Sequence, residues 1–497
     1  MKEHYKSSLT KALLLLLQIQ LFVYTFFIPL YPKLPLRKIY NTYVAVRLDD
    51  IFVIGIYLVF LLYFLIKRPK FDKKLVFLFF AFWIGVFISF IIGRFVMGTI
   101  PPHLTFVAIL NGLRRVQYMG IFFIAFTVIK NPSVFWLLFG ATILNLFLVD
   151  IYALGQRFLS FPAYSTMNPE FAKGQRLILT PEARISSTFA GHYDLASYLV
   201  LFLPIIWGIY YGFKEKWYKI IAMLGYVLSL SVLFFTASRT SFIAYLVSTP
   251  LLLLYLKKFK TLTFVILTSV VLMLISPALL TRFLATFQIK QILVDPSTGK
   301  TIIVQNSTIK ELPAGDTFLR TSGSSDTDAS RSFKDRLAES EANKYDVPIA
   351  SIEAELSKYQ TQQVVATDIS MSTRFKVEWP RAIKAWLKNP IFGSGPISIT
   401  EATDNDYLRW LGEFGAYGFL TFMAIILLIC KRIFDFTKQN SHHKYLFISI
   451  LFGVWGLLVN ALYIDVFEAS KVAYHFWFLL GITTGYIAVM SKNNSTK

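Results

Sequence analysis

The sequence predicts an all-α polytopic membrane protein with about 12 transmembrane helices and one large extracytoplasmic loop. Three observations carry that expectation. Hydrophobic residues make up 55% of the 497 and charged residues only 16%, less charge than a soluble protein of this size carries. Apolar runs of about 20 residues, long enough to cross a hydrocarbon core, recur along the whole chain. The one long polar stretch, residues 281–405, lies between two of these runs.

The expected spans are 11–31, 50–66, 75–93, 107–129, 133–154, 190–212, 218–237, 240–256, 261–280, 407–430, 445–463 and 473–490. Periodicity does not separate helix from strand in such runs, but their length favours helix. Arg114 and Arg115 interrupt the fourth, which reads as a half-span or as an interfacial helix followed by a shorter crossing. The first follows Lys2, Lys6 and Lys11 as a signal peptide's apolar run would. It is longer, however, and no small-x-small cleavage site follows, so it reads as a retained span. The chain thus divides into residues 1–280 with nine spans, the loop 281–405, and residues 406–497 with three spans.

Loop charge orients the chain. The lysine-rich loops 67–74, 214–219, 257–260 and 431–444 belong to the cytoplasm, which leaves both termini inside and the large loop outside. The first external loop, with Lys33, Arg37, Lys38 and Arg47, is a local exception. Because the net charge of +21 gathers in such short loops, it implies membrane lipids as partners and no nucleic acid. Cys430 is the single cysteine, so no disulfide forms within the chain.

The chain has 18 arginines, and on this topology only Arg68 and Arg432 are cytoplasmic. Orientation alone gives no reason to place the others outside. Arginine presents a rigid fork of donors that matches phosphate and carboxylate, so the outer face reads as built to hold an anion. For arginines inside 300–345, ordinary pairing with loop carboxylates is the simpler reading.

Within the long segment, QILV (291–294) and TIIVQ (301–305) flank a DPSTG turn and predict a hairpin. Residues 321–330 read as flexible, and 331–365 as one or two polar helices. From Ser372 to Pro390 the pattern is a basic amphipathic helix with Trp379 and Trp386. It fits either a membrane interface or a helix packed on the span ends.

Four segments carry candidate chemistry. Arg184 precedes a span, and Arg239 stands at a turn between two. Arg374 and Arg381 lie on the amphipathic helix, and Glu401, Asp404, Asp406 and Glu413 collect, with Asn405 among them, where a span begins. Arg157 is a further outer arginine at a span end. Charge at a span end is costly unless it meets water, a partner or a ligand. Phosphate binding beside a base and structural ion pairing both satisfy that requirement, and spacing does not separate them. No metal-ligand spacing or glycine-rich nucleotide loop is present, and His192 with Asp194 reads as structural.

In this order the segments resemble the O-antigen ligase and O-antigen polymerase family of bacterial membrane glycosyltransferases. The resemblance covers roughly residues 180–480. It rests on Arg184 with the run to Leu199, and on the turn Thr236 to Arg239. It continues with Arg374, Trp379 or Trp386, Pro390, Gly393 and Gly395, and then Asp404-Asn405-Asp406-Tyr407-Leu408, Glu413, Gly415 and Gly418. Two positions depart from the family pattern. An asparagine-proline-asparagine stretch is replaced by Gly191-His192-Tyr193-Asp194, and Asp404 replaces the family's histidine.

The resemblance implies transfer of a glycan from a polyprenyl diphosphate carrier to a glycan or lipid acceptor, in the plasma (inner) membrane and without a cofactor. It assigns Arg184 and Arg239 to the diphosphate leaving group, with Arg374, Arg381 and Arg157 as further substrate contacts. Asp404 becomes the base, with Asp406 and Glu413 behind it, and Asn405 orients sugar or base. The competing class is a lipid-linked glycan transporter or flippase. That class predicts broken helices mid-span and two related halves, which the sequence does not show. The chemistry is then expected in 372–413, with 286–370 a flexible lid or accessory insertion.

Overall fold

The computed structural model describes residues 2–39, 45–166, 171–181, 183–275, 279–280, 283, 287–294, 301–305, 308–311, 318–324, 334–335, 338–339, 348–367, 371, 373–399, 403–439 and 443–495. Two compact units divide the chain. One is Met1–Leu279 with Ala382–Lys497, and the other is Leu280–Arg381.

The helices are α1 (Lys2–Leu30), α2 (Leu48–Lys67), α3 (Lys73–Ile91), α4 (Thr105–Val128), α5 (Pro132–Phe158), α6 (His192–Gly212), α7 (Lys216–Phe235), α8 (Arg239–Tyr255), α9 (Phe259–Ile275), α10 (Ile349–Leu356), α11 (Trp379–Lys388), α12 (Asp406–Gln439), α13 (Lys444–Asn460) and α14 (Ser470–Ser495). Each predicted span falls on one of them. By length and apolarity, however, 8 of the described helices qualify to cross a membrane. α8, α9 and α13 are apolar but shorter, and α4 carries Arg114 and Arg115.

Local signals set the boundaries. Asn131 caps α5 by accepting from Val134 N at 3.0 Å, with Pro132 in the first turn. Asp72 caps α3 the same way through Leu75 N, also at 3.0 Å. The centre of the bundle is α6 and α14, each 83% buried along its apolar window, against 22% for α2. The exposed Leu58, Leu61, Leu62 and Leu65 of α2 form a surface suited to lipid. α13 packs along α6, α14 along α4, and α12 along α3. A side chain at Gly453 of α13 would strike the Leu201 carbonyl of α6, and that absence is what allows the two helices to lie so close.

In the second unit, β5 (Phe287–Val294), β6 (Thr301–Gln305), β7 (Thr308–Glu311), β8 (Phe318–Ser324) and β9 (Gln360–Thr367) form an antiparallel sheet in the order β7-β6-β5-β9-β8. The strands are numbered from β5 because two short pairs precede them: β1 (Arg37–Lys38) with β2 (Ala45–Val46), and β3 (Pro162–Ala163) with β4 (Leu177–Ile178). The hairpin read around DPSTG is present, with Val294 opposite Thr301.

Two other expectations for this stretch change, and a third gains detail. Residues 321–324 are strand rather than flexible chain, while 325–330 lie outside the described residues. The described residues 334–335, 338–339 and α10 are helical as expected, but the end of the stretch is strand, because 360–367 pairs along the full length of β5. Thr361, Val364, Val365 and Thr367 supply the β-branched character that the helical reading overlooked. The amphipathic segment is helical from Thr373, with a π-helical turn over Arg374–Glu378 that leads straight into α11, and Ser372 lies outside the described residues.

Candidate active site

Three arginine-bearing segments meet around Phe235, the last residue of α7. Arg157, in the last turn of α5, places its guanidinium over the Phe235 ring at 5.3 Å from the centroid. Ile185, next to Arg184, donates its backbone N–H to the Phe235 carbonyl at 3.3 Å. Arg239 opens α8 four residues on, after Ser238 caps that helix by accepting from Ser241 N. Arg184 and Arg239 are each partly exposed, as is Arg157. Arg184 Nη1 donates to Nε2 of His192 at 2.8 Å, so that ring nitrogen is an acceptor.

The loop that carries Arg184 is pinned from two sides. Gln156 Oε1 accepts from the backbone of Ser186 (3.2 Å) and Ser187 (2.8 Å), while its Nε2 donates to the carbonyls of Ser187 and Pro162. Lys471 Nζ donates to the carbonyls of Pro29 (2.7 Å), Tyr31 (2.8 Å) and Thr188 (2.6 Å). All three ammonium donors are spent on backbone, which makes Lys471 a tether.

The Asp404 segment joins the same end of the bundle through Asn460, the last residue of α13. Asn460 accepts from Ser241 Oγ at 3.2 Å and donates to Ser197 Oγ at 2.8 Å. The turn after it binds the start of α12, where Asp406 N donates to the Ala461 carbonyl and Asn405 Nδ2 to the Leu462 carbonyl. Asp404 itself is partly exposed with φ 48°, a left-handed conformation that a side chain adopts at a cost. Ser187 (φ 52°) and Ala237 (φ 49°) share it, so such strained residues stand in or beside each of three candidate segments.

Of the remaining candidates of this segment, Glu401 lies outside the described residues and the others are committed elsewhere. Asn405 caps α12 by accepting from Leu408 N at 3.0 Å, and its own N–H donates to Asp465. Asp406 is fully buried, and its Oδ2 accepts from Phe467 N at 3.1 Å. Glu413 is also fully buried, with Oε2 3.2 Å from Arg115 Nη2 and Oε1 accepting from Ile397 N at 3.2 Å. Arg115 also meets Glu468 at 2.5 Å, and Arg409 meets Asp465 at 3.2 Å. This buried lattice of alternating charge ties α4, α12 and the α13–α14 turn together.

The glycines of the motif have a mechanical basis. Gly393 (φ 73°) presses on the Glu413 carbonyl and Gly415 (φ 66°) on the Ile391 carbonyl, with no room for a Cβ at either. The segment after α11 is thereby locked onto a kink in α12 at Gly415. Arg374, which is buried, and Arg381, partly exposed, belong to the second compact unit.

Sequence reading missed Gln156, Asn460, Arg409, Asp465, Glu468 and Lys471. A signal existed for two of them: Gln156 and Asn460 are polar residues inside or at the end of apolar runs, where a partner is expected.

A protein-family model described as O-antigen ligase matches residues 224–423. The match takes in Arg239 and the Asp404–Gly418 run. No curated relative matches the chain.

Proposed function

We propose, from the match of an O-antigen ligase family model to residues 224–423, that the chain belongs to that family and moves a glycan from a polyprenyl diphosphate carrier to an acceptor hydroxyl at the outer face of the bacterial plasma membrane. In this reading the protein crosses the membrane twelve times, both termini are cytoplasmic, and the second unit is extracytoplasmic. The observation that carries the proposal is the meeting of the Arg157, Arg184 and Arg239 segments around Phe235, with Asp404 linked to the same end through Asn460.

As the bond from the sugar's anomeric carbon to the diphosphate oxygen breaks, negative charge grows on the leaving lipid diphosphate. Arg184, on a pinned loop, and Arg239, in the capped first turn of α8, stabilise that charge as fixed donors, which need little reorganisation at the moment of reaction. Arg157 supports the diphosphate, and Arg374 and Arg381 contact the glycan. Asp404 takes the proton of the acceptor hydroxyl as its oxygen attacks the anomeric carbon. Glu413 acts as a positioning residue, since both its oxygens are engaged. An aspartate at the family's histidine position favours a polymerase, whose acceptor is a second lipid-linked glycan.

The test is a reconstituted assay with purified protein and lipid-linked oligosaccharide. New glycosidic bonds are expected, and translocation of substrate without bond formation would sink the proposal.

A further inference from the structure

The opposite ends of α2, α4, α12 and α14 enclose a second, chemically distinct cleft of about 1030 Å³. Glu413 lies near the start of α12 and Arg432 nineteen residues on, roughly 28 Å along a helix. The rim of this cleft is cationic, with Lys67, Arg68, Lys70, Lys130, Arg432 and Lys492. Among the described lining residues the acids are Asp72 and Asp435. Arg432 is paired with Asp72 at 2.7 Å, which leaves the lysines in excess. Partial withdrawal from water, and then the nearby Lys492 and Lys67 charges, hold Lys130 below the usual lysine range. The floor is aromatic: Phe122, Phe123 and Phe126 of α4, with Phe71 packed against two of them.

Six cationic residues converge on this one cavity, and they include Arg68 and Arg432, the two arginines that loop charge assigns to this side. A cationic rim over an apolar floor that runs into the helices matches an amphiphile with a phosphate head and a hydrocarbon chain. We propose that this cleft binds an anionic glycerophospholipid, its phosphate among Lys67, Lys130 and Lys492 and an acyl chain on the phenylalanine floor. The proposal is independent of the glycosyl-transfer reading, because it involves none of those residues.

Native mass spectrometry of the full-length protein in detergent, titrated with phosphatidylglycerol or phosphatidylcholine, tests it. Each lysine near an anionic headgroup is worth roughly fivefold in binding. The triple variant K67A/K130A/K492A is therefore expected to lose roughly a hundredfold in phosphatidylglycerol affinity, while phosphatidylcholine binding is unchanged and the triple arginine variant still binds. If the triple alanine variant does not accumulate, the single Lys130→Gln change, on the short loop between α4 and α5, is expected to lose about fivefold. Undiminished phosphatidylglycerol adducts in whichever alanine or glutamine variant is measured would overturn the proposal. So would thermal protection of the wild type by inorganic phosphate equal to that by phosphatidylglycerol, which would mark a site for soluble anions.

Discussion

Two groups of arginines stand at the same end of the bundle and are held in opposite ways. Arg115 and Arg409 are buried in a lattice with Glu413, Asp465 and Glu468, drawn from α4, α12 and the α13–α14 turn. Arg157, Arg184 and Arg239 are partly exposed: Arg184 sits on a loop whose backbone is anchored by Gln156, Lys471 and the Phe235 carbonyl, Arg157 ends α5, and Arg239 opens α8 after the capping Ser238. In the first group the side chains do the holding. In the second the backbone is held and the side chains are presented. Charge spent on carboxylates stabilises the fold, whereas in the proposed function the partly exposed charge meets the substrate. Mutation can pull the two roles apart.

The largest effect is expected at Arg115. Arg115→Met leaves Glu413 and Glu468 without their shared guanidinium, and breaking a buried pair from one side costs about 3–5 kcal/mol. The variant should fail to accumulate in membranes, as measured by quantitative immunoblot of the membrane fraction. Normal accumulation with activity alone lost would dissolve the contrast, because Arg115 would then belong with the presented group.

Arg239→Ala and Arg184→Ala should do the reverse. Each is expected to lower glycan product by about 10²–10³, the scale of one transition-state donor, with accumulation unchanged. Arg239→Lys should recover only part of that loss, since an ammonium lacks the paired donors of a guanidinium. Normal product in both alanine variants would exclude the arginines from catalysis.

Asp404 comes next. Asp404→Asn keeps the size of the side chain but replaces one accepting oxygen with an NH2 donor and removes the base, so a loss of at least about 10² in kcat is expected. The pH–rate profile should also lose its acidic limb. An unchanged profile would remove the base assignment while leaving the arginine assignment intact.

The sequence carried much of this. Apolar runs placed every long helix of the bundle, because lipid imposes length and composition on each span separately. It also brought Arg184, Arg239 and Asp404 forward, since unusual charge beside a span is visible without a fold. What it did not carry was partnership. Whether Glu413 or Asp406 is available for chemistry depends on Arg115 and on Phe467, which are distant in the chain. The strand at 360–367 had a local signal in its β-branched residues, but its pairing with β5 is a property of another segment and was hidden. Local composition reports what a residue would cost, and only the fold reports what meets that cost.

The smallest expected effect is the sharpest check on the contrast. Asn405 stands beside Asp404 and, by position alone, would orient sugar or base. Its side chain instead caps α12, accepting from Leu408 N and donating to the Leu462 carbonyl. Asn405→Ala should therefore cost about 1 kcal/mol, the usual worth of a helix cap, seen as a small drop in the melting temperature of the purified protein. Asn405→Asp keeps the accepting oxygen but brings a second negative charge close to Asp465, which accepts from the Asn405 N–H, so it should recover only part of that stability. In both variants KM for the lipid-linked donor should stay within about twofold of wild type, whereas loss of a sugar contact would raise it by about tenfold for each 1.4 kcal/mol removed. A large rise in KM with no change in melting would move Asn405 out of the scaffold and into the substrate site.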